Sequence, residues 1–282
     1  MRRLIINADD LGADEARNEG IFEAIEAGVV TSASLLPNGP ALGHALERIR
    51  SGGFERVSFG VHLNLTEGRP LSEGLERLSG RDGNFLGKAA AQRLLMRTGD
   101  EALEKAIGAE TARQIARLLD AGIAVTHLDG HQHVHVFPAA LRAVAAAAER
   151  RGIRRMRIPE ETFPPGDDVP ADLLEEARRF SALGREARTF LRGAGIVSSD
   201  HFRGLALKGR LDLGRLIELV GALPGGTTEL MVHPGRVPDR DPFSAFSSTD
   251  RERELEALLN PRFRLALEER GVVLVSYREV DP

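Results

Sequence analysis

Four of the eight histidines fall in one stretch, His127-Leu128-Asp129-Gly130-His131-Gln132-His133-Val134-His135. Imidazoles and carboxylates at that density are the materials of a metal centre, because neutral ring nitrogens and ionised oxygens can share one cation. On an extended segment Asp129, His131, His133 and His135 would lie on one face, since side chains alternate with period two. Successive positions on that face are about 6.6 Å apart, too far for one ion to take all four. The run therefore supplies one or two ligands, and the residues alone leave open which histidines those are. Other candidates are scattered. Asp9 and Asp10 close the apolar run 4–8, His62 lies in the apolar stretch 57–65, Arg157 lies in 154–158, and His233 follows 229–232. Singly each has an ordinary use: an acid pair caps a helix, a histidine in an apolar run packs in the core, an arginine pairs with an acid, and His233 before Pro-Gly turns the chain. Jointly, at the ends of separate strands, they describe a hydrolytic site with two or three N/O ligands and an open position for water. The chain has no cysteine, so thiolate ligands, a thiol nucleophile and disulfides are excluded.

These residues need elements to bring them together. Short apolar runs alternate with stretches of helical period, the pattern of βα units on a parallel sheet. Strands are expected at 4–8, 30–36, 57–65, 154–158, 196–199, 229–232 and 272–276, with a further one ending in the histidine run. Asp14 caps a helix whose apolar positions are Ile21, Phe22, Ile25 and Val29. Further helices are expected at 41–50, 101–121 and 139–150, and within 160–195. The spacing predicts an α/β fold: a single-domain, closed or nearly closed barrel over 1–282, with irregular excursions near 66–100 and 160–205. In such a barrel the C-terminal ends of the strands converge on one face, where catalytic residues gather. No Gly-x-Gly-x-x-Gly follows the first strand, so a dinucleotide fold has no support.

Composition narrows the partners. The 282 residues are 42% hydrophobic and 28% charged, with a net charge of −4, which argues for a sizeable core and against disorder. Without a basic excess, neither nucleic acid nor an anionic membrane is expected as a partner. No apolar run is long enough to span a bilayer, and the N-terminal run is too short for a signal segment, so a cytoplasmic protein is expected.

The chain resembles the YdjC-like carbohydrate deacetylases, which include chitooligosaccharide deacetylases. The resemblance rests on Asn7-Ala8-Asp9-Asp10-Leu11-Gly12, on Val30-Thr31-Ser32-Ala33-Ser34 with Asn38-Gly39, on Gly60-Val61-His62-Leu63-Asn64-Leu65-Thr66, on Thr126 to Pro138 around the histidine run, and on His233-Pro234-Gly235. Leu11 stands where the family commonly has Phe, and Gly130 and Gln132 replace residues that are often Ser and His. The resemblance implies a deformed (β/α) barrel similar to that of polysaccharide deacetylases, with one divalent ion on Asp10, His62 and His131. It further implies Asp9 as general base and His233 as general acid. Asn38, Asp129, His133, His135 and Arg157 are then expected to touch substrate or support the ligands, with Asp129 orienting an imidazole and Arg157 fixing Asp9 or the sugar. The implied reaction is hydrolysis of an N-acetyl group on an amino sugar, with Mg²⁺ or Zn²⁺, or else Mn²⁺ or Co²⁺, as cofactor. A small N-acetylated saccharide is the implied partner, and a homodimer the implied assembly. With only 5% aromatic residues and no Trp, a long stacking groove for a polymer is not expected. Two other readings compete: another metal hydrolase, either an amidohydrolase or a phosphoesterase, and a sugar-binding protein without catalysis.

Overall fold

The computed structural model describes residues 1–163, 168–238, 243 and 249–281. In chain order the elements are β1 (Arg2–Leu11), α1 (Glu15–Glu26), β2 (Ser32–Leu35), α2 (Leu42–Gly52), β3 (Ser58–Leu63), α3 (Lys88–Leu95), α4 (Glu101–Asp120), β4 (Val125–Gly130), α5 (Pro138–Glu149), α6 (Ala171–Gly193), β5 (His201–Arg203), α7 (Leu213–Ala222), β6 (Gly226–Val232), α8 (Thr249–Leu259), α9 (Pro261–Glu269) and β7 (Val272–Leu274). Asp14 caps α1 as expected, its side chain accepting from the backbone N–H of Arg17 at 2.7 Å.

The strands lie in the order β4-β3-β2-β1-β6-β5, every pair parallel, and β7 runs beside the start of β1. Single bridges continue the sheet beyond β4: Leu128 pairs with Met156, and Arg155 with Val197, four residues before β5 begins. The pairings therefore run round a ring and return through β6 to β1, giving the deformed α/β barrel. Inner and outer faces follow from strand alternation. On β1, Leu4, Ile6 and Ala8 belong to the main apolar core, while Asn7 and Asp9 bond to polar groups from other strands across the interior. Ile5, Val275, Tyr277 and Val280 form a separate small apolar cluster.

Three expectations are corrected. Residues 154–158 and 196–199 are not full strands: each neighbour reaches the former for one residue before Pro159, and the strand expected at 196–199 is a bridge at Val197 with β5 starting at His201. The histidine run does not stay extended either. β4 stops at Gly130, and residues 131–136 wind into a tight turn with Gln132 at φ 53° and His133 at φ 57°. The turn folds back so closely that a Cβ at Gly130 would lie 2.8 Å from Nδ1 of His135. His131, His133 and His135 consequently diverge. The excursion at 66–100 also holds more order than expected, since it contains α3, whereas the helix expected within 160–195 is present as the 23-residue α6.

Candidate active site

Asp9 and Asp10 should point to opposite faces of a regular strand. Both line the same cavity because β1 breaks register against β2 between Ala8 and Leu11, with Asp10 at φ 66°. A bulge of this kind re-aims a side chain, and Asp is among the residues that tolerate the left-handed region. His62 comes from the penultimate position of β3, Asp129 from the same level of β4, His131 from the first residue after β4, and His233 from the residue following β6. The parallel direction of the strands brings these ends to one face. There His62, His131 and His233 border a cavity of about 380 Å³ whose walls also include Glu67, Lys88, His133, Phe180 and Lys208, while Asp129 lies buried behind them.

Asp10, His62 and His131 each present a ligand atom within 4.8 Å of the other two. Asp10 Oδ1 lies 2.9 Å from His131 Nδ1 and 3.4 Å from His62 Nε2, and Asp10 Oδ2 accepts from Arg251 at 2.6 Å. The opposite nitrogen of His62 is 2.7 Å from Asp129 Oδ1, so this imidazole has a carboxylate on both sides. Burial alone would depress its pKa, but the charges of Asp129 and Asp9 and the hydrogen bonds of Asp10 and Asp129 outweigh it and raise the value to about 10. Burial likewise pushes Asp10 up, yet His131 and Arg251 hold it well below the ordinary carboxylate range. A cluster that draws this much positive charge onto its imidazoles fits a divalent cation, and one carboxylate with two imidazoles is a donor set suited to Zn²⁺.

A second set, Asp9, His62 and Asp129, also comes within 4.8 Å. Its carboxylates are already engaged. Arg157 donates to both oxygens of Asp9 at 2.6 and 2.7 Å and lies 3.0 Å from Asp129 Oδ2. The same guanidinium donates to Glu229 at 2.7 Å, and Glu229 also accepts from the hydroxyl of Tyr277. Tyr277 stacks on His127 with ring centroids 3.9 Å apart, and His127 lies 3.1 Å from the Asn7 side-chain oxygen. Asp9 thus stands on a fully buried polar network. Burial raises its pKa, with Asp129 adding to the rise and Arg157 opposing it.

The remaining expected residues separate in position. His133 lines the cavity against Phe180, ring centroids 4.8 Å apart, and burial holds it neutral. His135 is away from the cavity wall; its Nε2 is 3.0 Å from the carbonyl of Arg157, and burial lowers its pKa to about 4. Asn38 also stays off the wall, donating to the carbonyls of Glu67 at 3.1 Å and Arg69 at 3.0 Å, so it braces the loop beside the site. Burial, reinforced by Arg251, holds His233 well below the ordinary histidine value, and its backbone N–H donates to Glu254. Sequence reasoning missed Glu67, Arg251, Lys88 and Lys208. The lysines alone carried a usable signal, since the chain has three in all and two of them are here.

A family profile described as YdjC-like protein matches residues 3–269. A carbohydrate deacetylase from Mus musculus is 37% identical over 304 residues, covering 99% of this chain and 95% of that protein. A chitooligosaccharide deacetylase from Salmonella schwarzengrund is 36% identical over 286 residues, covering 99% of each. Among solved structures, an Enterococcus faecalis V583 protein for which cellobiose-phosphate cleavage has been suggested shares the fold, with a TM-score of 0.74 at 24% identity, over 98% of this chain and 97% of that one.

Proposed function

The chain belongs to the YdjC-like family, and from that premise we propose that it is a metal-dependent hydrolase that removes the N-acetyl group from an amino sugar or short N-acetylated oligosaccharide and releases acetate. The observation that carries this reading is the convergence of Asp10, His62 and His131 beside Asp9 and His233 on one small cavity. Asp10, His62 and His131 would hold one divalent ion, Zn²⁺ by donor type, with Mg²⁺, Mn²⁺ and Co²⁺ as the other candidates. Such an ion supplies a lowered pKa for water and polarisation of the amide carbonyl.

The protein's own groups do the rest. Asp9 takes the proton of the attacking water, and its raised pKa makes it a stronger base than a solvated carboxylate. Arg157 opposes that rise with its charge and aims both Asp9 oxygens. The carbon–nitrogen bond then breaks as a proton reaches the amine nitrogen, because an amide nitrogen leaves poorly as an anion. His233 supplies that proton. Burial lowers its pKa well below the ordinary histidine value, so His233 must first take up a proton from solvent to become the imidazolium, and giving that proton to the amine returns it to the neutral ring. The cavity, about 380 Å³ with Phe180 on one wall, suits one or two sugar units. A two-ion phosphoesterase is disfavoured because Arg157 and His62 already occupy the carboxylates of the second donor set.

The same reading takes the chain as one domain working in the cytoplasm as a homodimer. Among the described residues no helix is long and apolar enough to cross a membrane. The test is acetate release from N-acetylated mono- and disaccharides by protein loaded with each ion, beside the Asp9→Asn variant. Release that depends on the ion and vanishes in the variant is expected. No release from any sugar with any ion would overturn the deacetylase reading, and the ion count per chain would then separate the other hydrolases from a binding protein.

A further inference from the structure

The two imidazoles that face Asp10 do so with different ring nitrogens. His62 turns Nε2 toward Asp10 and has its Nδ1 2.7 Å from Asp129. His131 is reversed: Nδ1 lies 2.9 Å from Asp10, and Nε2 lies 3.1 Å from Oε2 of Glu67. A nitrogen that ligates a cation must carry no proton, so the ring proton has to sit on the other nitrogen, where an acceptor fixes both tautomer and ring angle. For His62 that acceptor is Asp129, buried in the barrel wall. For His131 it is Glu67, which lies in the loop after β3.

Glu67 is clamped at both ends. Its backbone N–H donates to the side-chain oxygen of Asn64 at 3.1 Å, and its carbonyl accepts from Asn64 at 2.8 Å and Asn38 at 3.1 Å. Its other carboxylate oxygen accepts from Gln132 at 3.0 Å, next to His131 and itself held at positive φ. A carboxylate needed only to anchor the loop would have no reason to meet the ring nitrogen opposite Asp10.

We propose that Glu67 is a positioning residue that holds His131 as the Nε2–H tautomer with Nδ1 directed at the cation, and so sets the affinity of the site. This rests on the reading that Asp10, His62 and His131 hold the ion, and the experiment keeps the two apart. Zn²⁺ and Co²⁺ are titrated calorimetrically into wild type, His131→Ala, Glu67→Ala and Glu67→Gln, and ring-nitrogen NMR is recorded on the Zn²⁺-loaded proteins. Wild type is expected to bind one ion, with His62 as the Nδ1–H tautomer and His131 as the Nε2–H tautomer. Glu67→Ala should weaken binding by about 10- to 100-fold, the usual effect of removing an outer carboxylate. Glu67→Gln keeps the size and an acceptor oxygen without the charge, so a smaller loss is expected; it also serves if the alanine variant fails to fold. Wild-type affinity in both Glu67 variants, or His131 loaded as the Nδ1–H tautomer, would overturn the proposal while leaving the ion site standing. No binding by wild type, or full occupancy in His131→Ala, would instead overturn the ligand assignment and the proposal with it.

Discussion

At the scale of single residues, the proposed mechanism separates holding the ion from moving protons, and variants should show that separation. His131→Ala is expected to lose ion and activity together, as read by metal content and acetate release on the same sample. Asp9→Asn should keep the ion and lose turnover by about 10²- to 10⁴-fold, the usual contribution of a positioned base. A near-normal rate would remove Asp9 from that role. His233→Ala should slow amide substrates more than activated esters, whose leaving groups need little protonation; equal losses would count against a proton donor. Most of these residues were legible in the sequence because their types are out of place where they occur. An acid pair ending an apolar run and a histidine inside one stand out against their neighbours. Glu67 does not, since a lone Glu in a Gly-rich, charged stretch has the appearance of a solvated loop. Arg251 was equally hidden, because its link to Asp10 is set by how α8 packs and leaves no trace in local spacing.

At the scale of elements, the loop bearing His233 is held in part by direct backbone contact with two helices. Arg236 N–H donates to the carbonyl of Ala16 on α1 at 3.1 Å, and Gly235 N–H to the carbonyl of Arg251 on α8 at 3.3 Å. A Cβ at Gly20 would come within 2.5 Å of the Gly235 α-carbon. Gly20→Ala therefore sets two effects against each other. Helix propensity favours Ala by about 1 kcal/mol, while overpacking against backbone that cannot yield costs about 1–3 kcal/mol. Net destabilisation is expected in chemical denaturation, together with reduced turnover at full ion occupancy, because it is the His233 loop that must shift. Improved stability with unchanged turnover would contradict this. Elements with a clean period, such as α1, α4 and α5, were legible in the sequence. Strands reduced to single bridges were over-read as full strands, since a short apolar run does not show how many of its residues pair. The turn at 131–136 was misread because alternating histidines imitate a strand, and the positive φ values that break it belong to residues other than glycine.

At the scale of the whole molecule, the barrel interior is charged and closed, and acid should find it out. His135 is held at about 4 and His127 at about 3, both lowered by burial. Between an unfolded value of about 6.5 and these folded values, the unfolded chain binds protons that the folded chain refuses. Stability from these groups is present above about pH 6.5 and is lost as pH falls through that window. Glu229 and Glu254, raised by burial to about 7, act in the opposite sense over an overlapping range. A difference measurement isolates one histidine: His135→Asn should take up about one proton fewer than wild type on unfolding near pH 5, read from the pH slopes of their denaturation free energies. Identical slopes would mean that His135 is not held neutral. The barrel was legible as alternating strands and helices, whereas its closure by single bridges and the polar network inside it emerged only in three dimensions.

The scarcity of lysine gives this molecule a chemical handle. Of its three primary-amine side chains, Lys88 and Lys208 border the cavity, flanking Glu176 at 2.7 and 3.9 Å, while Lys105 lies exposed on α4. An acylating reagent followed by peptide mass mapping would therefore read cavity access at two positions and carry its own reference at the third. Any sugar that occupies the site would announce itself as protection of Lys88 and Lys208 with Lys105 labelled at its usual rate, so binders could be sorted before a single turnover assay is run.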